Sequence, residues 1–299
     1  MINFENGFVS YLTRLADRGG PTPNDYAELD DRLFHAHKVI ATGKVPLNSI
    51  TEKIRASRVF ATPESIQGHG LLKPYGYSGD FEIIDRIYTN WLSPRQELVS
   101  WDRYFHAQAA PRAVRNRKEY FKCLLDRVVS TGGSKVLKLG VGPGRCMREW
   151  LDDNPDAQVH FDCVDIDASA IKYARKLNAA YLDKISFRQC NALRFRPATS
   201  YDLIWAAGLF DYFSDRIFIS LCKRLWPAVA PGGELVVGNF DAGNPSRAYM
   251  EILGDWHLCH RSPSTLRALM IKGGVPPSCI RIGIEPEGVN LFVHAYKEQ

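Results

Sequence analysis

The sequence contains no apolar run approaching the roughly 20 residues a membrane-spanning helix needs. Its opening residues, Met1 to Asn6, include Glu5 and no apolar h-region, so no secretory signal is read there and a soluble, cytoplasmic chain is expected. The seven cysteines (123, 146, 163, 190, 222, 259 and 279) are odd in number and widely scattered, without a C-x-x-C pair. That spacing argues against a disulfide framework or a zinc finger; reduced thiols and no metal site are expected. There is no long basic tract either. The 38 lysines and arginines are interspersed with 33 aspartates and glutamates, so a net charge of +5 gives nucleic-acid binding no support. Internal repeats and low-complexity segments are also missing, and nothing speaks to the oligomeric state. What is present is an ordinary globular balance: 299 residues, 45% hydrophobic and 24% charged, enough for one large domain or two modest ones.

Two patterns divide the chain. Residues 1–130 read as helical, a cap or substrate region. Phe4, Phe8, Val9, Leu12 and Leu15 recur at helix spacing before Gly19-Gly20-Pro21 breaks the run. A second helix is expected over 24–40. Ser49-Ile50-Thr51-Glu52 has the form of a capping box opening a third helix through Phe60. The glycine-rich stretch from Gly68 to Gly79 reads as a loop, with helices resuming at 80–92, 94–109 and 112–130. From Thr131 to the end, short apolar runs alternate with amphipathic ones. Strands are expected at 136–139, 159–166, 185–189, 203–206 and 234–239, helices at 145–153, 168–178 and 217–229, and a closing hairpin at 281–285 and 291–296. Such alternation implies an α/β fold, a Rossmann-like, doubly wound and mostly parallel sheet over 131–299.

The sharpest local signal lies between the first strand and its helix, in Leu139-Gly140-Val141-Gly142-Pro143-Gly144-Arg145. Glycines there permit positive φ and a close approach of ligand to backbone, and the helix N-terminus that follows offers free N–H groups. Asp165 ends the second strand, where a carboxylate can accept both hydroxyls of a ribose; a solvated aspartate or a helix cap is the alternative. A dinucleotide site wants G-x-G-x-x-G. Here Arg145 holds the third glycine's place, which disfavours a bound pyrophosphate.

Residues 136–240 resemble the class I S-adenosylmethionine-dependent methyltransferase core. The resemblance is carried by the Gly140/Gly142/Gly144 loop, Asp165, Asn191-Ala192, Tyr201-Asp202-Leu203-Ile204 and Pro231-Gly232-Gly233-Glu234-Leu235. It implies S-adenosylmethionine as cosubstrate or substrate, touching Gly140, Gly142, Gly144, Asp165, Ile166, Asn191, Ala192 and Ala207. A narrower resemblance spans nearly the whole chain: 73–80, 113–117, 207–212, 244–251 and 255–258 are similar to segments of bacterial proteins labelled as 3-hydroxypalmitic acid methyl ester biosynthesis proteins. Azetidine-2-carboxylate synthases resemble the chain in architecture alone. Two departures stand out. Lys138 occupies a position where many such enzymes carry an acid, and Asn191 stands where many carry an aspartate.

Tyr75 and Tyr77 sit in the glycine-rich loop without a helical face to supply, and aromatic faces attract a sulfonium as they attract ammonium. They are expected to close over the cofactor, with Tyr77 also a candidate catalytic group; a purely structural turn is the alternative. Arg115 and Arg117 lie two apart on one helix and cannot share a face. One is expected to clamp a carboxylate of cofactor or acceptor, Arg115 being the candidate, and the other to be a surface charge. Asp211 and Tyr212, beyond the fourth strand, are positioned to place or deprotonate an acceptor, unless Asp211 only caps the next helix. Three functions follow: methyl transfer to a small-molecule or acyl carboxylate, cyclisation of the cofactor to azetidine-2-carboxylate with release of methylthioadenosine, or a silent binding module.

Overall fold

The computed structural model describes residues 2–298 apart from 44, 56, 58 and 59, with side chains from residue 6 onward. By contacts the chain divides into two compact units, Met1–Arg112 with Pro245–His257, and Ala113–Asn244 with Leu258–Gln299. The division differs from a break at residue 130: residues 113–130 group with the sheet, and an insertion from the C-terminal half joins the helices.

The first unit is helical: α1 (Ile2–Asp17), α2 (Tyr26–Ala41), α3 (Leu47–Arg55), α4 (Ile66–Leu72), α5 (Phe81–Tyr88) and α6 (Gln96–Ala107). The start of α7 (Ala109–Ser130) also belongs to it. Three expectations need correction here. Ser49 is not a cap: α3 starts two residues earlier, and the Ser49 hydroxyl donates to the Pro46 carbonyl at 2.9 Å. That helix ends at Arg55, Phe60 is a turn residue, and residues 56, 58 and 59 of its expected tail lie outside the described residues. The stretch 68–72 is helix α4, not loop. Ser65 caps it by accepting the Gly68 N–H, and a Cβ on Gly68 would lie 2.0 Å from the Thr62 carbonyl oxygen. That glycine serves close packing rather than a turn. The true turn follows, with Gly76 and Gly79 at positive φ.

Buried carboxylates pin these short helices. Asp102 accepts the N–H groups of Ile66 and Ser93 at 2.9 and 2.7 Å. Asp80 caps α5 through Glu82 and Ile83 and receives the His69 imidazole. No helix among the described residues is long and apolar enough to cross a membrane.

The second unit is built on β1 (Lys135–Leu139), β2 (His160–Asp165), β3 (Ile185–Gln189), β4 (Tyr201–Ala206), β5 (Val229–Phe240), β6 (Ile280–Ile284) and β7 (Asn290–Tyr296). Between them run α8 (Arg145–Asp153), α9 (Ala168–Leu177), α10 (Asp215–Leu225) and α12 (Pro263–Lys272); α11 (Arg247–Leu253) lies in the helical unit. The sequence pattern does not mark α11 and α12. Strand order is β3-β2-β1-β4-β5-β7-β6. The first five strands pair in parallel, while β7 runs antiparallel to both β5 and β6. The expected Rossmann-like sheet is therefore present, its final hairpin inserting β7 between β5 and β6.

Alternation along β1 assigns its side chains to opposite faces. Leu137 and Leu139 join Ile204, Phe218, Leu235 and Met270 in one core. Val136 joins Phe161, Trp205, Trp150 and Phe121 in the other. Lys138 shares the Val136 side. Because β1 is flanked by β2 and β4, the direction of winding switches beside it, and such sheets open a crevice at the carboxyl ends of those strands.

Candidate active site

Gly140, Gly142 and Gly144 follow β1 with φ of 71°, 56° and 74°. Gly144 starts α8 in the left-handed region, and a Cβ there would lie 2.9 Å from Asn178 Nδ2 and 3.0 Å from Ala174 Cβ. The third glycine is thus what lets α8 pack on α9. Asp165, half-buried at the end of β2, reaches across to this loop. Its Oδ2 accepts the Gly142 N–H at 3.2 Å and its Oδ1 the Asp167 N–H at 3.0 Å. Each oxygen keeps a further lone pair. Asp167 rather than Asp165 caps α9, through Ser169 N–H. Beside it Ile166 is 63% exposed, an apolar side chain held out at a strand tip with no core to fill.

Lys138 does not point away from the loop. It is 6% exposed, and its ammonium donates to the carbonyls of Gly140 and Val141 at 3.2 and 3.1 Å. Phe121 lies 5.9 Å beneath it. A cation where related loops carry an acid here props the loop from inside by gripping its carbonyl oxygens.

The β3–β4 connection carries Asn191 and Ala192, both half-buried. Asn191 Oδ1 accepts Leu193 N–H at 2.8 Å, so its amide oxygen already shapes the turn. Ala207 follows β4, and a Cβ on Gly238 of β5 would come within 2.8 Å of its methyl. These residues, with the glycine loop, Asp165 and Ile166, all gather at the carboxyl ends of β1 to β4. Tyr75 and Tyr77 belong to the helical unit, each 39% exposed. The Tyr75 hydroxyl donates to Glu82 Oε2 at 2.9 Å and its ring packs 4.5 Å from Phe81; burial and that carboxylate push it up to about 12. Arg115 is half-buried on α7.

Asp211 requires the largest revision. It is 2% exposed, and its Oδ1 accepts the Phe240 N–H at 2.6 Å, tying the loop after β4 to the end of β5. Its carbonyl takes the Cys259 N–H. It neither caps α10, whose first turn follows Ser214, nor lies open to an acceptor. Tyr212, one residue on, is 40% exposed. Sequence periodicity gave no sign of this reversal, since both residues lie in a short 3-10 turn, Phe210–Tyr212.

Burial raises the Asp211 carboxyl to about 6, against the pull of the Phe240 N–H, Arg117 and Arg261. In the unfolded chain the group loses its proton near pH 4, so between about pH 4 and 6 the folded form binds more protons. Its contribution to stability is complete below pH 4 and is lost as pH rises through 6, about 2 to 3 kcal/mol for this shift. Asp211→Asn is expected to remove that slope. Urea unfolding of both proteins at pH 4.5 and 7 checks it; parallel pH profiles would contradict it.

Arg261 is the group that sequence inspection missed altogether. It is 4% exposed and spreads its guanidinium over Asp215 Oδ1 (3.0 Å), Asn239 Oδ1 (2.7 Å) and the carbonyls of Phe210 and Phe213. It therefore fixes the loop that carries Asp211 and Tyr212.

Residues 136–233 match the family model described as a methyltransferase domain. No curated protein matches the sequence. Among solved structures, the chain is similar to a Bordetella parapertussis protein described as a possible exported protein, at 20% identity and a TM-score of 0.67, covering 99% of this chain and 97% of that one. It is also similar to the S-adenosylmethionine-dependent methyltransferase SibL in its apo form (14% identity, TM-score 0.52, 88% and 77% covered) and to PigF with SAH (14%, 0.50, 85% and 70%). The sheet unit has the class I methyltransferase fold.

Proposed function

We propose that this chain is an S-adenosylmethionine-dependent methyltransferase acting on a small-molecule or acyl carboxylate acceptor. The observation that carries the reading is the Asp165 carboxylate, held by the glycine loop at the tips of β1 and β2 with acceptor capacity to spare, beside exposed Ile166. The residues present fit the cofactor. Asp165 suits a pair of vicinal hydroxyls, and Ile166 offers an apolar face to a base. The Gly140–Gly144 loop leads directly into α8, with Arg145 where a dinucleotide motif carries its third glycine. The methyltransferase-domain match over this same segment, and the neighbour PigF with SAH, support the same cofactor.

When bound, the sulfonium supplies an electrophilic methyl group. The chain's part is to hold and align, since displacement at that carbon depends mainly on proximity and in-line geometry. Asp165 fixes the nucleoside, while Lys138 and Gly144 keep the loop in shape beneath it. A carboxylate acceptor is already ionised at pH 7, so no general base is required, in keeping with a buried Asp211. Exposed Tyr212 stands at the same edge to place an acceptor.

The test is product analysis by mass spectrometry. Incubation with S-adenosylmethionine alone is expected to leave it intact, and addition of 3-hydroxypalmitate or a shorter carboxylic acid to give methyl ester and S-adenosylhomocysteine. Methylthioadenosine with azetidine-2-carboxylate, formed without an acceptor, would overturn methyl transfer in favour of cyclisation.

A further inference from the structure

Arg117 on α7 is 8% exposed, yet it makes no hydrogen bond or ion pair with any described residue. None of its nitrogens is among the atoms sealed from solvent without a partner, so the guanidinium keeps a path outward. It lies flat against Gly208, just after β4: a Cβ there would meet Nη1 at 2.7 Å, Cζ at 3.1 Å and Nη2 at 3.2 Å. Gly208 also has φ +82°, so both its backbone and its missing side chain serve this approach. Asp211 feels the positive charge but spends its Oδ1 on Phe240. Arg261, in the same neighbourhood, has all three guanidinium nitrogens engaged by carbonyls and side-chain oxygens.

The contrast between the two arginines is what carries the argument. A guanidinium has five donors and is costly to bury without acceptors. One of these two is a structural clamp; the other is held nearly buried with its donors unused. Its natural complement is a planar, bidentate carboxylate. Its place is suitable as well, because Leu209 Cβ lies 3.8 Å from where a Cβ on Gly140 would be, which sets this loop against the glycine loop. Two strand spacings, about 10 Å, separate the tips of β2 and β4. A nucleoside held at Asp165 can therefore extend its amino-acid tail to Arg117.

We infer that Arg117, rather than Arg115, is the carboxylate-recognition residue of this site. The inference rests on the nucleoside-sulfonium reading above. The carboxylate belongs either to the cofactor's amino-acid tail or to the acceptor, and calorimetry on Arg117→Met separates the two. The probes are S-adenosylhomocysteine, methylthioadenosine (which lacks the tail) and, on protein loaded with S-adenosylhomocysteine, 3-hydroxypalmitate. A cofactor contact weakens S-adenosylhomocysteine by about 30-fold or more and leaves methylthioadenosine unchanged. An acceptor contact leaves both nucleosides unchanged and abolishes 3-hydroxypalmitate binding. Gly208→Ala, which displaces the guanidinium without removing it, is expected to give the same pattern. Because Arg117 has no internal partner, Arg117→Met is expected to melt no lower than the parent, whereas Arg261→Met melts well below it. Unchanged binding of all three probes, or uniform weakening with a lower melting point, overturns the inference. A parent protein that binds neither nucleoside sinks the cofactor reading first, and this one with it.

Discussion

Asp165→Ala is expected to weaken S-adenosylhomocysteine by about 100-fold or more, from the loss of two charge-assisted hydrogen bonds each worth about 1.5–3 kcal/mol. The effect has two sources. On the proposed reading the carboxylate is the direct acceptor for ribose hydroxyls, and it also receives Gly142 N–H, so its removal loosens the loop at its middle glycine. Methylthioadenosine should weaken in parallel, since it retains the sugar; this separates Asp165 from a residue that reads the amino-acid tail. Asp165→Asn keeps one acceptor oxygen and is expected to fall between the two. Stability should change little, because the side chain is half-exposed and water can replace it at the Asp167 N–H. Calorimetry paired with urea unfolding checks both statements. Unaltered affinity would mean the nucleoside lies elsewhere.

Gly68→Ala is expected to cost the helical unit about 3 kcal/mol or more, although helix propensity alone favours alanine by about 1 kcal/mol. Packing wins because the obstacle is backbone: the added methyl would lie 2.0 Å from the Thr62 carbonyl oxygen, with Ser65 Oγ at 2.9 Å. Neither can yield cheaply, as Ser65 is the cap that accepts the Gly68 N–H. Gly7→Ala is the matched control. It lies on the exposed side of α1 with nothing within 4 Å of the new Cβ, so propensity acts alone and a gain of about 0.5–1 kcal/mol is expected. Thermal or urea denaturation of the full chain reads both. Equal effects of the two substitutions would contradict the close approach at Thr62.

The same pair of glycines shows which parts of the molecule were legible in the sequence. Strand–helix alternation after residue 131 marked the sheet because β1, β4 and β5 carry short apolar runs and amphipathic stretches separate the strands. The glycine loop was legible because a left-handed backbone between strand and helix has few other causes. Gly68 and Gly70 were misread because a glycine used for close packing looks the same in sequence as one used for a turn. Lys138 was recognised as unusual, but its direction depends on which carbonyls lie within reach of the ammonium, and a linear pattern does not contain that. Arg261, and the choice of Arg117 over Arg115, were hidden for a related reason. Their roles come from Asn239, Asp215 and Gly208, which lie 22, 46 and 91 positions away in the chain and meet only at the sheet edge. Asp211 and Tyr212 are adjacent, yet one faces the core and the other solvent. Only the turn geometry decides which.

A crystal structure of the chain grown with S-adenosylhomocysteine is the most direct test. The ribose hydroxyls are expected within hydrogen-bond distance of both Asp165 carboxylate oxygens, with the purine over Ile166. A ligand bound anywhere else, with Asp165 still engaged only by Gly142 and Asp167, would contradict the account.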